Sequence, residues 1–176
     1  MNGDKNLIGT YHNGDNIVVR IYDDGTKEKD ILTDDARPEF PECMDLTIST
    51  YCENGCAFCY ANCSSNGKKA NLASFYPLLD TIHPYTELAI NINGGEDPRE
   101  LTPFLAHMSN RHVIVNATIR QDDFEKHLET LYKMTKDGLL HGIGVSVTDC
   151  SSKFLRNSFL FPDLVCHTIV GITTPD

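Results

Sequence analysis

The sequence has no apolar run of 18 or more residues, which excludes a helical membrane span. Its opening residues, Met1-Asn2-Gly3-Asp4-Lys5, lack the apolar stretch of a secretory signal, so the expected location is the cytoplasm. Positive charge is scarce. Fifteen lysines and arginines face 25 acidic residues, a formal net charge of −10. That balance argues against broad nonspecific binding to nucleic acid or to anionic membranes. Internal repeats and low-complexity tracts are also missing. What remains is a 176-residue chain with room for one domain and a sizeable core.

Cysteine is not scarce. A reducing compartment makes seven of them metal ligands or buried thiols rather than disulfides. Cys43, Cys150 and Cys166 stand apart and read as small buried hydrophobes. Cys52, Cys56 and Cys59 form a CxxxCxxC run with Phe58 inside it, and Cys63 follows four residues later. Lys68-Lys69 is the small basic cluster nearest this loop.

Residues 1–40 read as an extension with two or three short antiparallel strands. Ile17–Tyr22 is flanked by Asn13-Gly14 and Asp24-Gly25, both of which favour tight turns. Arg37-Pro38-Glu39-Phe40-Pro41 then reads as a linker. From residue 41 onward strand and helix patterns alternate. Strands are expected at 44–50, 87–93, 113–119, 142–147 and 164–171. Helices are expected near 72–82, after Asp97-Pro98, after Asp122, and at 151–160. Asp97 with Glu100, and Asp122 with Glu125, have capping-box spacing. The expected apolar helix faces are Leu72, Phe75, Leu79 and Ile82, then Leu101, Phe104, Leu105 and Met108, then Phe124, Leu128, Leu131 and Met134. Alternation with short connections implies an α/β fold with a parallel sheet and right-handed crossovers. In such sheets ligands bind at the carboxyl ends of the strands. The cysteine run follows the first of these strands, and Gly94-Gly95-Glu96 follows the second. Both motifs are therefore expected side by side on one rim.

Three thiolates in one loop suit two kinds of centre. A cubane iron–sulfur cluster held by three cysteines keeps one iron open to a small ligand. Alternatively, Cys63 or a histidine completes a zinc site or a closed cluster, giving a noncatalytic metal-binding module.

The conjunction of CxxxCxΦC with Gly94-Gly95-Glu96 at strand ends resembles the radical S-adenosylmethionine superfamily. The resemblance covers roughly residues 44–171. It implies a partial (βα)6-type parallel barrel with about five strands present, behind a small N-terminal antiparallel β element. It implies a 4Fe-4S cluster on Cys52, Cys56 and Cys59, with S-adenosylmethionine on the free iron. It implies reductive cleavage to a 5′-deoxyadenosyl radical, with an external electron donor such as flavodoxin or ferredoxin and an unknown substrate. Phe58 would lie near the adenine. Gly94, Gly95 and Glu96 would receive the methionine amino group, and Ser146 would contact ribose or carboxylate. Asn116 and Thr118 are lesser candidates. In Val165–Ile172, Ile169 and Gly171 match part of the family's GxIxGxxE pattern, while His167 and Thr174 depart from it. Six strand–helix units are usual in this family, so a short or C-terminally incomplete member is expected. The N-terminal segment faintly resembles radical proteins carried by phages and their bacterial hosts.

Overall fold

The computed structural model describes residues 5–23, 26–56, 59, 61–147 and 157, together with the backbone of 165–170. The chain divides into two compact units, one ending at Pro41 and the other beginning at Glu42.

The first unit is a three-stranded antiparallel sheet, β1 (Leu7–His12), β2 (Ile17–Tyr22) and β3 (Lys27–Ile31), with β2 central. Tyr11, Ile17 and Val19 form its small core, with Ile21, Ala36 and Phe40 against it. Asn13 does more than turn the chain. Its buried amide accepts from the Glu39 and Phe40 backbone N–H groups (2.9 and 3.0 Å) and donates to the Phe40 carbonyl (3.0 Å). The linker is thereby tied to the β1–β2 turn by one satisfied polar side chain. Gly14 holds φ +85 beside the Arg37 carbonyl, where a Cβ would come within 2.4 Å.

The second unit is a five-stranded parallel sheet: β4 (Cys43–Leu46), β5 (Glu87–Ile92), β6 (Val115–Arg120), β7 (Gly142–Val147) and β8 (Val165–Val170). Spatial order follows chain order, and each neighbouring pair is parallel. Successive right-handed crossovers between such neighbours deliver their helices to the same face. The burial pattern agrees. Leu88, Ile90 and Ile92 on β5, Val115, Ala117 and Ile119 on β6, and Ile143, Val145 and Val147 on β7 are buried. They join one core with Leu79 of α1 (Tyr76–Leu79) and Phe104, Leu105 and Met108 of α2 (Thr102–Asn110). Phe124 of α3 (Gln121–Lys126) and Leu131 and Met134 of α4 (Leu128–Lys136) complete it. Each valine, leucine, isoleucine, phenylalanine or methionine among them contributes about 1.5–3 kcal/mol by leaving water. The alternate positions, Asn91, Asn93, Asn116, Thr118, Arg120 and Ser146, are polar and none is fully buried. Because side chains alternate along a strand, these share the opposite face. None of the described helices is long and apolar enough to cross a membrane.

Several expectations need correction. The strand expected at 44–50 ends at Leu46, because the following residues leave β5 and pair with a returning segment instead. The pattern at 72–82 yields only a 3-10 turn, Leu72–Phe75, and the four-residue α1. Pro77 sits in the first turn of α1, where a missing N–H costs nothing. The Asp97 capping box is half formed. Asp97 accepts from the Arg99 N–H (3.0 Å), while Glu100 reaches across to Lys69 (2.7 Å). The third helix is interrupted at His127, giving α3 and α4, although Phe124, Leu131 and Met134 are buried as expected. Arg120 rather than Asp122 stands at the cap position of α3, without a side-chain bond. The helix expected at 151–160 lies outside the described residues, apart from Asn157.

Candidate metal centre

Beyond Leu46 the chain runs on to Tyr51 and is met by the segment returning from residue 64. Ala70 donates to the Ile48 carbonyl (2.9 Å), Thr50 to Lys68 (3.0 Å), Ser64 to Thr50 (3.0 Å) and Cys52 to Ser64 (2.9 Å). The return is made by the turn Ser64–Gly67, closed by the Gly67 N–H on the Ser64 carbonyl (2.9 Å). A Cβ on Gly67 would lie 1.9 Å from the Thr50 oxygen, so only glycine permits this approach. The three cysteines thus occupy a loop clasped at its base, at the carboxyl end of β4.

That loop lies on the end of β5. The Glu53 N–H donates to the Gly94 carbonyl (3.1 Å). A Cβ on Gly94 would come within 2.2 Å of the Asn54 amide, and one on Gly95 within 2.5 Å of the Glu53 side chain. Gly95 also holds φ +84. The two glycines are the flat surface on which Glu53 and Asn54 rest. Glu96 turns back toward its own strand, buried, with one carboxylate oxygen accepting the Asn93 N–H (2.7 Å). Sequence spacing alone puts the two motifs on one rim, and these contacts bring them together.

The sulfurs differ. Cys59 accepts the Cys63 backbone N–H (3.4 Å). That bond, with further N–H groups of Ala61 and Asn62, holds its thiol below the ordinary cysteine range despite partial burial. Cys63 is the reverse case. Burial pushes its thiol up, and the negative charge on Cys59 adds to the effect. Its sulfur faces the Ser49 and Ala61 carbonyls (3.9 and 3.8 Å), with the Asn93 amide donating to it at 3.6 Å. Cys56 receives a bond from the Arg120 guanidinium, Nη1 to Sγ 3.4 Å. Among the described residues no group of three or more His, Cys, Asp or Glu is gathered to hold a single metal ion.

The rim continues along the sheet. Arg120 is the last residue of β6 and lies in register with Ser146 of β7, which is in register with Ile169 of β8. Ser146 is half-buried on the polar face, beyond the reach of the helical core. Asn116 and Thr118 share that face, and the Asn116 amide lies against Gly142, where a Cβ would come within 2.6 Å. Phe58 lies outside the described residues, and for Ile169 only the backbone is described. Lys69 is not a free cation; its pairing with Glu100 ties the returning segment to the turn before α2.

The chain matches no family model, no curated protein and no solved structure. The chemistry of the rim therefore rests on its own donors. Soft sulfur ligands select iron–sulfur clusters, zinc or copper(I) over hard cations. Loop N–H groups on Cys59 stabilise anionic sulfur, which is the form a cluster requires, and Cys56 has a guanidinium donor within hydrogen-bond reach. The residues present fit a thiolate-held centre.

Sequence reading missed Arg120, Asn93 and the Glu53-Asn54 pair. Ending the third strand at 119 rather than at Arg120 left the guanidinium off the rim. The rule that ligands gather at strand carboxyl ends would have flagged it. Nothing in the spacing marks Asn93 or Asn54, whose roles come from the docking of the loop.

Proposed function

We propose that this protein is a radical S-adenosylmethionine enzyme. The observation that carries the reading is the seating of the cysteine loop on Gly94-Gly95 through the Glu53 N–H. It joins two motifs 35 residues apart in one site, at the rim where parallel sheets bind ligands. The one-sided helical cover supports a finer fold reading. A flat parallel sheet is covered on both faces, whereas a curved one turns its second face inward. The polar face with Asn91, Asn116, Thr118 and Ser146 is then the interior of a partial (βα)6 barrel.

Cys52, Cys56 and Cys59 would hold a 4Fe-4S cluster, and the rim beside Gly94-Gly95 would hold the methionine end of S-adenosylmethionine. When bound, the cluster supplies one electron that splits the sulfonium into methionine and a 5′-deoxyadenosyl radical, the species that takes hydrogen from a substrate. The glycines let Glu53 and Asn54 lie directly on the strand end, which would bring the cluster beside the carbonyls that receive the ligand amine. Glu96, already bonded to Asn93, fixes the turn that presents those carbonyls. Ser146 offers a hydroxyl to ribose or carboxylate, and Phe58 and Ile169 are the adenine-side residues. The electron would come from a flavodoxin- or ferredoxin-type donor in the cytoplasm, and the substrate is a molecule of unassigned class.

A second reading has one observation in its favour, the closeness of Cys63 to Cys59. Cys63 would then complete a zinc site or a closed cluster. The experiment is electron paramagnetic resonance of anaerobically reconstituted, dithionite-reduced protein, with and without S-adenosylmethionine, alongside iron and zinc analysis. A 4Fe-4S signal that changes shape with the ligand is expected. A signal indifferent to the ligand, or stoichiometric zinc without iron, would overturn the proposal.

A further inference from the structure

We infer that Arg120 sets the reduction potential of the centre by donating to the sulfur of Cys56. The inference rests on the reading above and adds a residue to it. Its basis is the placement of one side chain. Val115, Ala117 and Ile119 send β6 into the core, so Arg120, the last residue, projects from the opposite face at the rim. From there it crosses to the cysteine loop, 64 residues away in sequence, and its Nη1 reaches Cys56 Sγ at 3.4 Å. Its Nη2 lies 3.5 Å from the exposed Asp122 carboxylate, in the first turn of α3. Its Nε is buried without a hydrogen-bond partner among the described residues.

A guanidinium keeps its charge at every working pH. Bound to a neutral thiol it makes a weak contact. Bound to a metal-held thiolate it makes a charge-assisted one. Reduction of a cluster adds one electron and no proton at this position. The added negative charge strengthens the contact, so the reduced form gains more than the oxidised form. The couple becomes easier to reduce by a one-electron donor. Hydrogen bonds to cluster sulfurs and net charge are established levers on such potentials. The buried, unpaired Nε adds a second reason. Charge held partly away from water is screened less, so the attraction of this guanidinium to a thiolate is stronger there.

The alternative is a purely structural arginine that ties the rim to the start of α3. The two differ in a measurable way. Wild type, Arg120→Gln and Asp122→Asn would be reconstituted anaerobically, assayed for iron, and titrated potentiometrically with the reduced cluster signal as readout. At the wild-type midpoint, Arg120→Gln should show a reduced-to-oxidised ratio about tenfold lower, which is about 59 mV for a one-electron couple. Its iron content should stay at the wild-type level. Asp122→Asn removes an exposed negative charge beside the guanidinium, so its midpoint should rise. Arg120→Gln with full iron and an unmoved midpoint would overturn the inference. If Arg120→Gln fails to load iron, Asp122→Asn decides. A raised midpoint supports the inference, and an unmoved one refutes it. A wild type that takes up no cluster sinks the parent reading instead, so the two failures are told apart.

Discussion

Replacing Gly67 by alanine should open the clasp beneath the cysteine loop. The position does not have a positive φ, so the cost is steric rather than conformational. The new methyl would lie 1.9 Å from the Thr50 oxygen, 2.2 Å from its carbon and 2.5 Å from the Tyr51 nitrogen. All three are backbone atoms, and no rotamer change relieves them. The carbonyl must withdraw by roughly 1 Å or more before the contact becomes tolerable. It is not free to do so, because it accepts the Ser64 N–H at 3.0 Å, and Ser64 in turn accepts the Cys52 N–H at 2.9 Å. Overpacking of this kind costs about 1–3 kcal/mol. Each backbone bond lost adds about 0.5–1.5 kcal/mol. The total is about 2–5 kcal/mol. A domain of this size loses about 2–4 °C per kcal/mol, so the midpoint of thermal unfolding should fall by about 4–20 °C. Circular dichroism on the metal-free protein measures this directly. Gly138→Ala is the control. Its φ is +69 with no atom within 4 Å of the added Cβ, so it should cost only the left-handed penalty of about 1–2 kcal/mol. A Gly67→Ala protein as stable as wild type would refute the clasp.

Phe104→Ala, which empties the fully buried centre of the parallel-sheet unit, should lower stability by about 3–5 kcal/mol in urea unfolding. Alanine at Cys52, Cys56 or Cys59 should each abolish stoichiometric iron on anaerobic reconstitution, whereas Cys63→Ala should retain it. Iron and sulfide analysis reads both. In the metal-free protein, iodoacetamide should label Cys59 faster than Cys63, followed by peptide mass spectrometry from pH 10 down to pH 7. The depressed Cys59 thiol is still partly thiolate as the pH falls, while the raised Cys63 thiol protonates first, so the ratio of their rates should grow toward neutrality. A ratio that stays flat or inverts would contradict the hydrogen-bond assignment.

The parallel sheet was legible because its signals are local and repeated. Leu88, Ile90 and Ile92, or Ile143, Val145 and Val147, mark their strands by alternation, and the helices between them fix parallel pairing. Strand order and the shared rim follow from connectivity rules. What was not legible depends on where the chain departs from a repeating pattern. Thr47–Tyr51 has the residues of a strand and is extended, but its partner is the Ser64–Ala70 return rather than β5. No periodicity announces that choice. The α3–α4 break at His127 is equally silent, since Phe124, Leu131 and Met134 keep their helical spacing across it. The site shows the same division. The cysteines and glycines were visible as motifs. Arg120 and Asn93 became visible only once two distant segments lay against each other.

Cys63 shows why spacing cannot assign ligands by itself. CxxxCxxCxxxC is symmetrical as a pattern, and it offers the fourth thiol as readily as the first. The surroundings are not symmetrical. Cys59 collects backbone N–H donors, which favour the thiolate. Cys63 faces two carbonyl oxygens, which can only accept from a thiol S–H. Ionising Cys63 would set negative charge against both carbonyls and against Cys59, with the Asn93 amide the donor that opposes them. The Asn93 amide is the donor that a thiolate at Cys63 would keep. Asn93 holds the Ser49 carbonyl as well (3.0 Å), and its N–H is the one that Glu96 accepts. The Gly-Gly-Glu turn and the fourth cysteine are therefore coupled. The Ser49 and Ala61 carbonyls and burial, rather than Asn93, favour the protonated Cys63 thiol, and Asn93 links that thiol to the turn.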